Sequence, residues 1–194
     1  MTKTELRKKI KTVLELHKQE FESESERISN EILTSPFYKN AQIILAYMAL
    51  KDETNIFKVI KHAQSDNKKV FIPKTEQNSL KMDFFELKEN SALLPGNFGI
   101  LEPFLKNDNA QNFSDNLKNF TDKKILILVP GRAFSKKGYR LGRGKGYYDN
   151  FLKNIFDNFD DDFNCTVAGV CFPFQISEEI PTEQHDFKMD FVFC

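Results

Sequence analysis

At 194 residues, with 40% apolar and 29% charged side chains, the chain is long enough to bury the core of one large soluble domain. Its 28 Lys and Arg balance 28 Asp and Glu, so no basic excess points to broad polyanion binding, and a mean hydropathy of −0.48 without a long apolar run excludes a membrane span. Three cysteines (Cys165, Cys171, Cys194) without a CxxC pair, and a start lacking the apolar stretch of a secretory signal, make reduced thiols in a cytoplasmic protein the expectation.

Along the chain, Leu6, Ile10, Val13, Leu14 and His17 recur with the period of an amphipathic helix, and Thr2 and Glu5 have capping-box spacing at its start. A second helix is predicted from Ser23, with Glu26 three residues on, carrying Ile28, Ile32 and Leu33 until Ser35-Pro36 stops it. Residues 43–47 read as a buried strand. Residues 55–64 read as a helix, with Ile56, Val59, Ile60 and Ala63 on one face, and 70–73 as a strand ended by Pro73. Further strands are predicted over 80–87, 125–129, 166–172 and 190–193, and a helix over 147–159. Residues 107–122, rich in Asn and Asp, read as a surface excursion, and 157–164 as an acidic turn. Strands alternating with helices imply a single α/β domain over residues 1–194. It is expected to be three-layered, with a mainly parallel sheet and helices on both faces.

Glycine is scarce except in one segment. Five of the eight glycines (Gly131, Gly138, Gly142, Gly144, Gly146) lie between a buried strand and a helix, the side of an open α/β sheet where ligands bind. Without Cβ atoms at 142, 144 and 146, successive N–H groups can approach a phosphate, and the next helix N-terminus favours an anion. Arg140, Arg143 and Lys145 supply cationic donors, and Asp149 just beyond is placed to hold a divalent cation directly or through water. Arg132, Lys136 and Lys137 extend the same basic stretch with no acidic residue between 132 and 145, so the balanced total conceals a local anion site. The spacing is neither that of a P-loop nor that of a dinucleotide loop. Read locally, the segment binds phosphates; a solvated surface loop and an RNA-phosphate site are the rival readings.

Arg140-Leu141-Gly142-Arg143-Gly144-Lys145-Gly146-Tyr147-Tyr148-Asp149 resembles the signature of the 5-formyltetrahydrofolate cyclo-ligases, also called methenyltetrahydrofolate synthetases. The resemblance extends upstream through Pro130-Gly131 and Ala133-Phe134. It includes Lys3, Leu6 and Arg7 near the start, Glu53 twenty residues before Pro73, Pro95-Gly96, and Phe98-Gly99-Ile100-Leu101-Glu102-Pro103. It closes with Ile180-Pro181, Glu183, His185-Asp186 and Asp190. Ser135 stands where the family often has Asp, Lys123-Lys124 where an Asp is common, and Asn55 in place of a frequent acidic residue.

The resemblance implies a fold of the ribose-5-phosphate isomerase and CoA-transferase type, and ATP-dependent conversion of 5-formyltetrahydrofolate to 5,10-methenyltetrahydrofolate with release of ADP and phosphate. It implies that Lys3, Arg7 and Arg140 to Tyr148 contact the nucleotide, with Arg140, Arg143 and Lys145 catalytic. Met48, Glu53 and the stretch from Arg143 through Gly144, Lys145 and Gly146 to Tyr147 would contact the reduced folate, and Asp149 and Asp186 would hold Mg²⁺. Phe98 and Phe134 would flank the pterin. A small-molecule substrate is expected, with no nucleic acid or membrane partner and a monomeric state favoured. Taken singly, each residue has a plainer role: Lys3 and Arg7 a solvated helix face, Met48 core filler, Glu53 a helix-start carboxylate, Asp186 a turn cap, His185 a structural hydrogen bond, the two tyrosines packing. A sugar-phosphate isomerase and a non-catalytic nucleotide- or RNA-binding protein on the same fold are the alternatives.

Overall fold

A computed structural model describes residues 1–76, 79–89, 91–96, 99–104, 112–158, 164–183 and 186–194. His185 and Phe98 lie outside the described residues. The first helix, α1 (Lys3–Leu16), opens as expected: Thr2 Oγ1 accepts from the Glu5 amide at 3.2 Å and the Glu5 carboxylate accepts from the Thr2 amide at 2.8 Å. Leu6, Ile10 and Leu14 form its buried face.

The second helix, α2 (Phe21–Thr34), begins two residues before the expected Ser23 and without a side-chain cap. A single 3-10 turn carries the chain into it from α1, and Phe21 stacks on Phe172 at 4.5 Å, so packing fixes a start that capping does not. Ser35 ends α2 but also begins a short helix that the sequence reading missed, α3 (Pro36–Asn40), accepting from the Tyr38 amide at 3.2 Å.

A six-stranded sheet follows from β1 (Ile43–Leu45), β2 (Lys69–Thr75) and β3 (Met82–Glu86), with α4 (Phe57–Ser65) between β1 and β2. A small hairpin, β4 (Leu93–Pro95) with β5 (Leu101–Pro103), precedes the central strand β6 (Ile125–Pro130). Then come β7 (Ala133–Ser135), β8 (Arg140–Leu141), α5 (Tyr147–Asp157), β9 (Cys165–Val170), β10 (Ile176–Ser177) and β11 (Phe191–Phe193). The main sheet runs β11-β9-β6-β1-β2-β3, parallel throughout except for the β2–β3 edge, and β10, β7 and β8 form a separate three-stranded sheet.

Pro73 does not end β2. Val70 accepts from the Leu87 amide, so alternate pairs along β2–β3 are hydrogen-bonded and Pro73, opposite Phe84, falls in a non-bonded pair. Its missing N–H faces the β1 side, where pairing has already stopped at Leu45–Phe71.

Strand alternation divides the core between two faces. Ile44 and Ala46 pack with Leu6, Ile10, Ile28, Ile32, Val59 and Ile60 from α1, α2 and α4. Ile43 and Leu45 point the other way, toward Phe151, Leu152 and Ile155 of α5. The expectation of a surface excursion over 107–122 is wrong for its described part, 112–122. Phe113 is fully buried there, Leu117 and Phe120 nearly so, and the Phe113 and Phe120 rings stack at 5.4 Å. These three apolar residues follow a helical period that the surrounding Asn and Asp conceal. Phe134 is likewise core: it is fully buried, and its ring packs against Gly131 and Gly169, so it does not flank a ligand. Among the described residues no helix is long and apolar enough to cross a membrane.

Candidate active site

The glycine-rich segment joins β8 to α5. Gly146 caps α5 with φ +72°, a left-handed conformation that a side chain would strain, and this turn aims the first α5 amides at the loop it closes. The first helix meets segments from the far end of the chain here. Arg7 Nε on α1 donates to the Gly142 carbonyl at 2.9 Å, tying the first helix to the loop. One turn earlier, Lys3 Nζ reaches both oxygens of Asp186 at 2.9 and 2.7 Å, and Glu183 at 3.2 Å. Burial opposes the Lys3 charge, but these carboxylates outweigh it and raise its pKa.

Arg140 is the most deeply set cation. Its side chain is 5% exposed, donates to Asp149 Oδ2 at 2.8 Å and to the Pro130 carbonyl at 3.3 Å, and lies 5.6 Å from the Tyr148 ring centroid. Arg143 reaches the opposite wall, donating through Nε to Glu53 at 2.8 Å and through Nη2 to Asp52, whose other oxygen accepts from Arg132. Burial alone would raise the Asp52 pKa, but the two guanidinium groups hold its carboxyl below the usual range. Glu53 accepts from the Leu50 amide at 2.9 Å with its second oxygen, so it anchors Arg143 from a pinned position. Tyr148 is driven upward in pKa chiefly by burial.

Apart from Asp52 and Arg132, these side chains line one cavity of about 840 Å³. Lys3, Arg7, Met48, Glu53, Arg140, Leu141, Gly142, Arg143, Gly144, Lys145, Gly146, Tyr147, Tyr148, Asp149 and Asp186 all border it, so the residues expected to contact nucleotide, folate or metal converge on one space, Phe134 excepted and Phe98 lying outside the described residues. Its walls also include Tyr47, Thr75, Met82, Ile100, Glu102 and Glu183. A second cavity of about 1030 Å³ adjoins it, sharing Thr75, Met82 and Glu102. Sequence reading gave no role to Asp52, Thr75 or Glu102. Glu102 carried a signal, its place in the Ile100-Leu101-Glu102-Pro103 stretch, whereas Asp52 acts through partners 80 and 91 residues away.

Carboxylates lining a cavity beside a glycine-rich loop suit a hard divalent cation held by one or two protein oxygens and by a ligand's phosphates. Among the described residues no three His, Cys, Asp or Glu cluster tightly enough to hold a metal alone. Asp149 fits the shared arrangement through Oδ1, which has no hydrogen bond among the described residues, whereas both oxygens of Asp186 accept from Lys3 and one also from the Glu183 amide, so Asp186 would serve a cation in exchange for Lys3.

A sequence model of the 5-formyltetrahydrofolate cyclo-ligase family matches residues 1–194. The chain is 31% identical over 166 residues to the mouse 5-formyltetrahydrofolate cyclo-ligase, covering 84% of this chain and 78% of that protein. It is 30% identical over 202 residues to the Saccharomyces cerevisiae 5-formyltetrahydrofolate cyclo-ligase, covering 100% and 95%. The solution structure of Aquifex aeolicus 5,10-methenyltetrahydrofolate synthetase, 29% identical, superimposes with a TM-score of 0.74, covering 99% of this chain and 89% of that one. The Mycoplasma pneumoniae 5,10-methenyltetrahydrofolate synthetase, at 20% identity and a TM-score of 0.69 over 100% and 98% of the two chains, shares the fold.

Proposed function

The chain belongs to the 5-formyltetrahydrofolate cyclo-ligase family, and on that premise we propose what the residues around its cavity do. The chain is an ATP-dependent ligase that closes 5-formyltetrahydrofolate to 5,10-methenyltetrahydrofolate. An N-formyl amide is a poor electrophile, and its oxygen is a poor leaving group. Transfer of the ATP γ-phosphoryl to the formyl oxygen solves both problems: N10 attacks the formyl carbon and loses its proton, and the oxygen departs as phosphate. Little covalent work falls to the protein in such a reaction; positioning and charge neutralisation dominate.

Lys3, Arg7 and the Arg140–Tyr148 stretch bind the nucleotide, and the loop amides from Gly142 to Gly146 cradle its phosphates. Arg140, Arg143 and Lys145 neutralise charge on the transferred group. Met48, Glu53 and Tyr147 face the reduced folate. Asp149 and Asp186 hold Mg²⁺, which when bound screens the phosphate charge. We also assign the fold to the ribose-5-phosphate isomerase and CoA-transferase type, and the protein to the cytoplasm as a monomer without nucleic-acid or membrane partners. The observation that carries these roles is the convergence of α1, the β1–α4 loop, the glycine-rich segment, Glu183 and Asp186 on a single cavity.

The test is spectroscopic. Purified protein mixed with 5-formyltetrahydrofolate and Mg-ATP is expected to generate the methenyl absorbance; a signal independent of ATP, or none, overturns the reading. Asp149→Asn is expected to raise the half-saturating Mg²⁺ concentration about tenfold, the scale for perturbing a metal ligand or its partner. An unchanged Mg²⁺ titration would remove Asp149 from the metal.

A further inference from the structure

Two of the carboxylates that line the cavity, Glu53 and Glu102, have different surroundings, and Glu102 also borders the adjoining cavity. Glu53 has both oxygens engaged, one by Arg143 Nε at 2.8 Å and the other by the Leu50 amide at 2.9 Å. Glu102 is 8% exposed and uses only Oε1, which accepts from the Thr75 amide at 3.3 Å and from its hydroxyl at 3.1 Å. Among the described residues Oε2 has no donor. That oxygen keeps its accessible surface within the cavity space that Glu102 lines, so it can accept from a bound molecule without first giving up a protein partner.

The site is shaped for that carboxylate. A Cβ at Gly96 would stand 2.2 Å from Glu102 Cδ and 2.4 Å from Oε2, so only glycine leaves the group its position. The β4–β5 hairpin presents Glu102, and Thr75 at the end of β2 fixes the rotation of its carboxylate. Thr75 and Glu102 border the same space as Met48, Glu53 and Tyr147.

The pterin of a reduced folate carries an exocyclic 2-amino group beside a ring N3–H, an edge rich in donors. We propose that Glu102 is a specificity-determining residue, its Oε2 accepting from the pterin 2-amino group. The inference rests on the folate reading above and deepens it: Glu53 contributes shape and Arg143 placement, while Glu102 selects a 2-amino pterin over rings lacking that donor.

Glu102→Gln separates this role from packing. A glutamine has one acceptor oxygen. If it serves the Thr75 N–H, which can only donate, the amide NH₂ meets the pterin amino group, donor against donor. Titration calorimetry should show 5-formyltetrahydrofolate binding weakened at least thirtyfold in Glu102→Gln, with Mg-ATP affinity within twofold of the wild type. Equal folate affinity, or equal losses for both ligands, overturns the assignment. A 2-desamino analogue of the substrate supplies an independent arm that needs no variant. Wild-type protein should bind it at least thirtyfold more weakly than the 2-amino form, and equal binding again overturns the proposal. Methenyl formation by the wild type, measured alongside, tests the ligase reading separately: turnover with unchanged folate affinity in Glu102→Gln defeats only the Glu102 assignment.

Discussion

Lys145→Ala is expected to lower kcat about 10²–10³-fold, the cost of removing one donor aimed at transition-state charge. Five cations line the cavity: Lys3, Arg7, Arg140, Arg143 and Lys145. Four are committed to the protein, Lys3 to Asp186, Arg7 to the Gly142 carbonyl, Arg140 to Asp149, and Arg143 to Asp52 and Glu53. Lys145 is exposed and, among the described residues, has no ion pair or hydrogen bond. It therefore meets an incoming phosphate without first breaking a contact, and its charge is the least neutralised of the five. For the same reason the substitution should change folding stability by no more than about 0.5 kcal/mol. Steady-state turnover with a thermal melt checks both halves. A kcat within threefold of the wild type would make Lys145 a solvated loop residue; a large fall in melting temperature would make the activity loss indirect.

Local chemistry was legible in the sequence wherever neighbours alone decide the structure. Thr2 and Glu5 sit three residues apart and cap α1 as their spacing requires, and the apolar run at 125–129 lies within β6, the central parallel strand. Errors arose where a distant partner decides. Pro73 reads as a strand end, yet β1 stops before needing its N–H, a fact about pairing register rather than about residue 73. Residues 112–122 read as polar surface because composition outweighed three apolar side chains at helical spacing, and their burial depends on Phe71 across the chain. The site divides the same way. The glycine-rich loop is contiguous and stands out, as does the resemblance it carries. Asp52 has no local mark distinguishing it from a solvated acid, and only the fold sets it between Arg132 and Arg143. Asn55 and Ser135, departures from the family pattern, both acquire backbone roles. Asn55 accepts from the Phe57 amide at 3.0 Å to start α4, and Ser135 accepts from the Tyr139 amide at 3.1 Å to hold the β7–β8 turn.

Arg140 is expected to be the residue whose loss damages stability and activity together. Gly131 and Gly142 leave it room, since a Cβ at either would lie 3.1 Å from its Cγ or 3.0 Å from its Nη1. Its Nε is buried without an acceptor among the described residues, so the Asp149 pair and the Pro130 carbonyl carry the polar balance of the side chain. Arg140→Met keeps most of the volume but leaves the Asp149 charge unmatched. Breaking a buried pair from one side costs about 3–5 kcal/mol. Asp149 keeps 20% of its side chain exposed, which moves the expectation to about 3 kcal/mol because water partly replaces the lost partner. For a chain of this size that lowers Tm by roughly 6–12 °C. A thermodynamic cycle identifies the cause. If the unmatched carboxylate is responsible, Arg140→Met combined with Asp149→Asn should be more stable than the sum of the single losses predicts, by about 1–3 kcal/mol. It should nonetheless remain inactive, since the cation proposed to neutralise the transferred phosphoryl group is gone. Strictly additive losses would instead assign the cost to packing around the arginine stem and leave Asp149 free to serve the metal without Arg140.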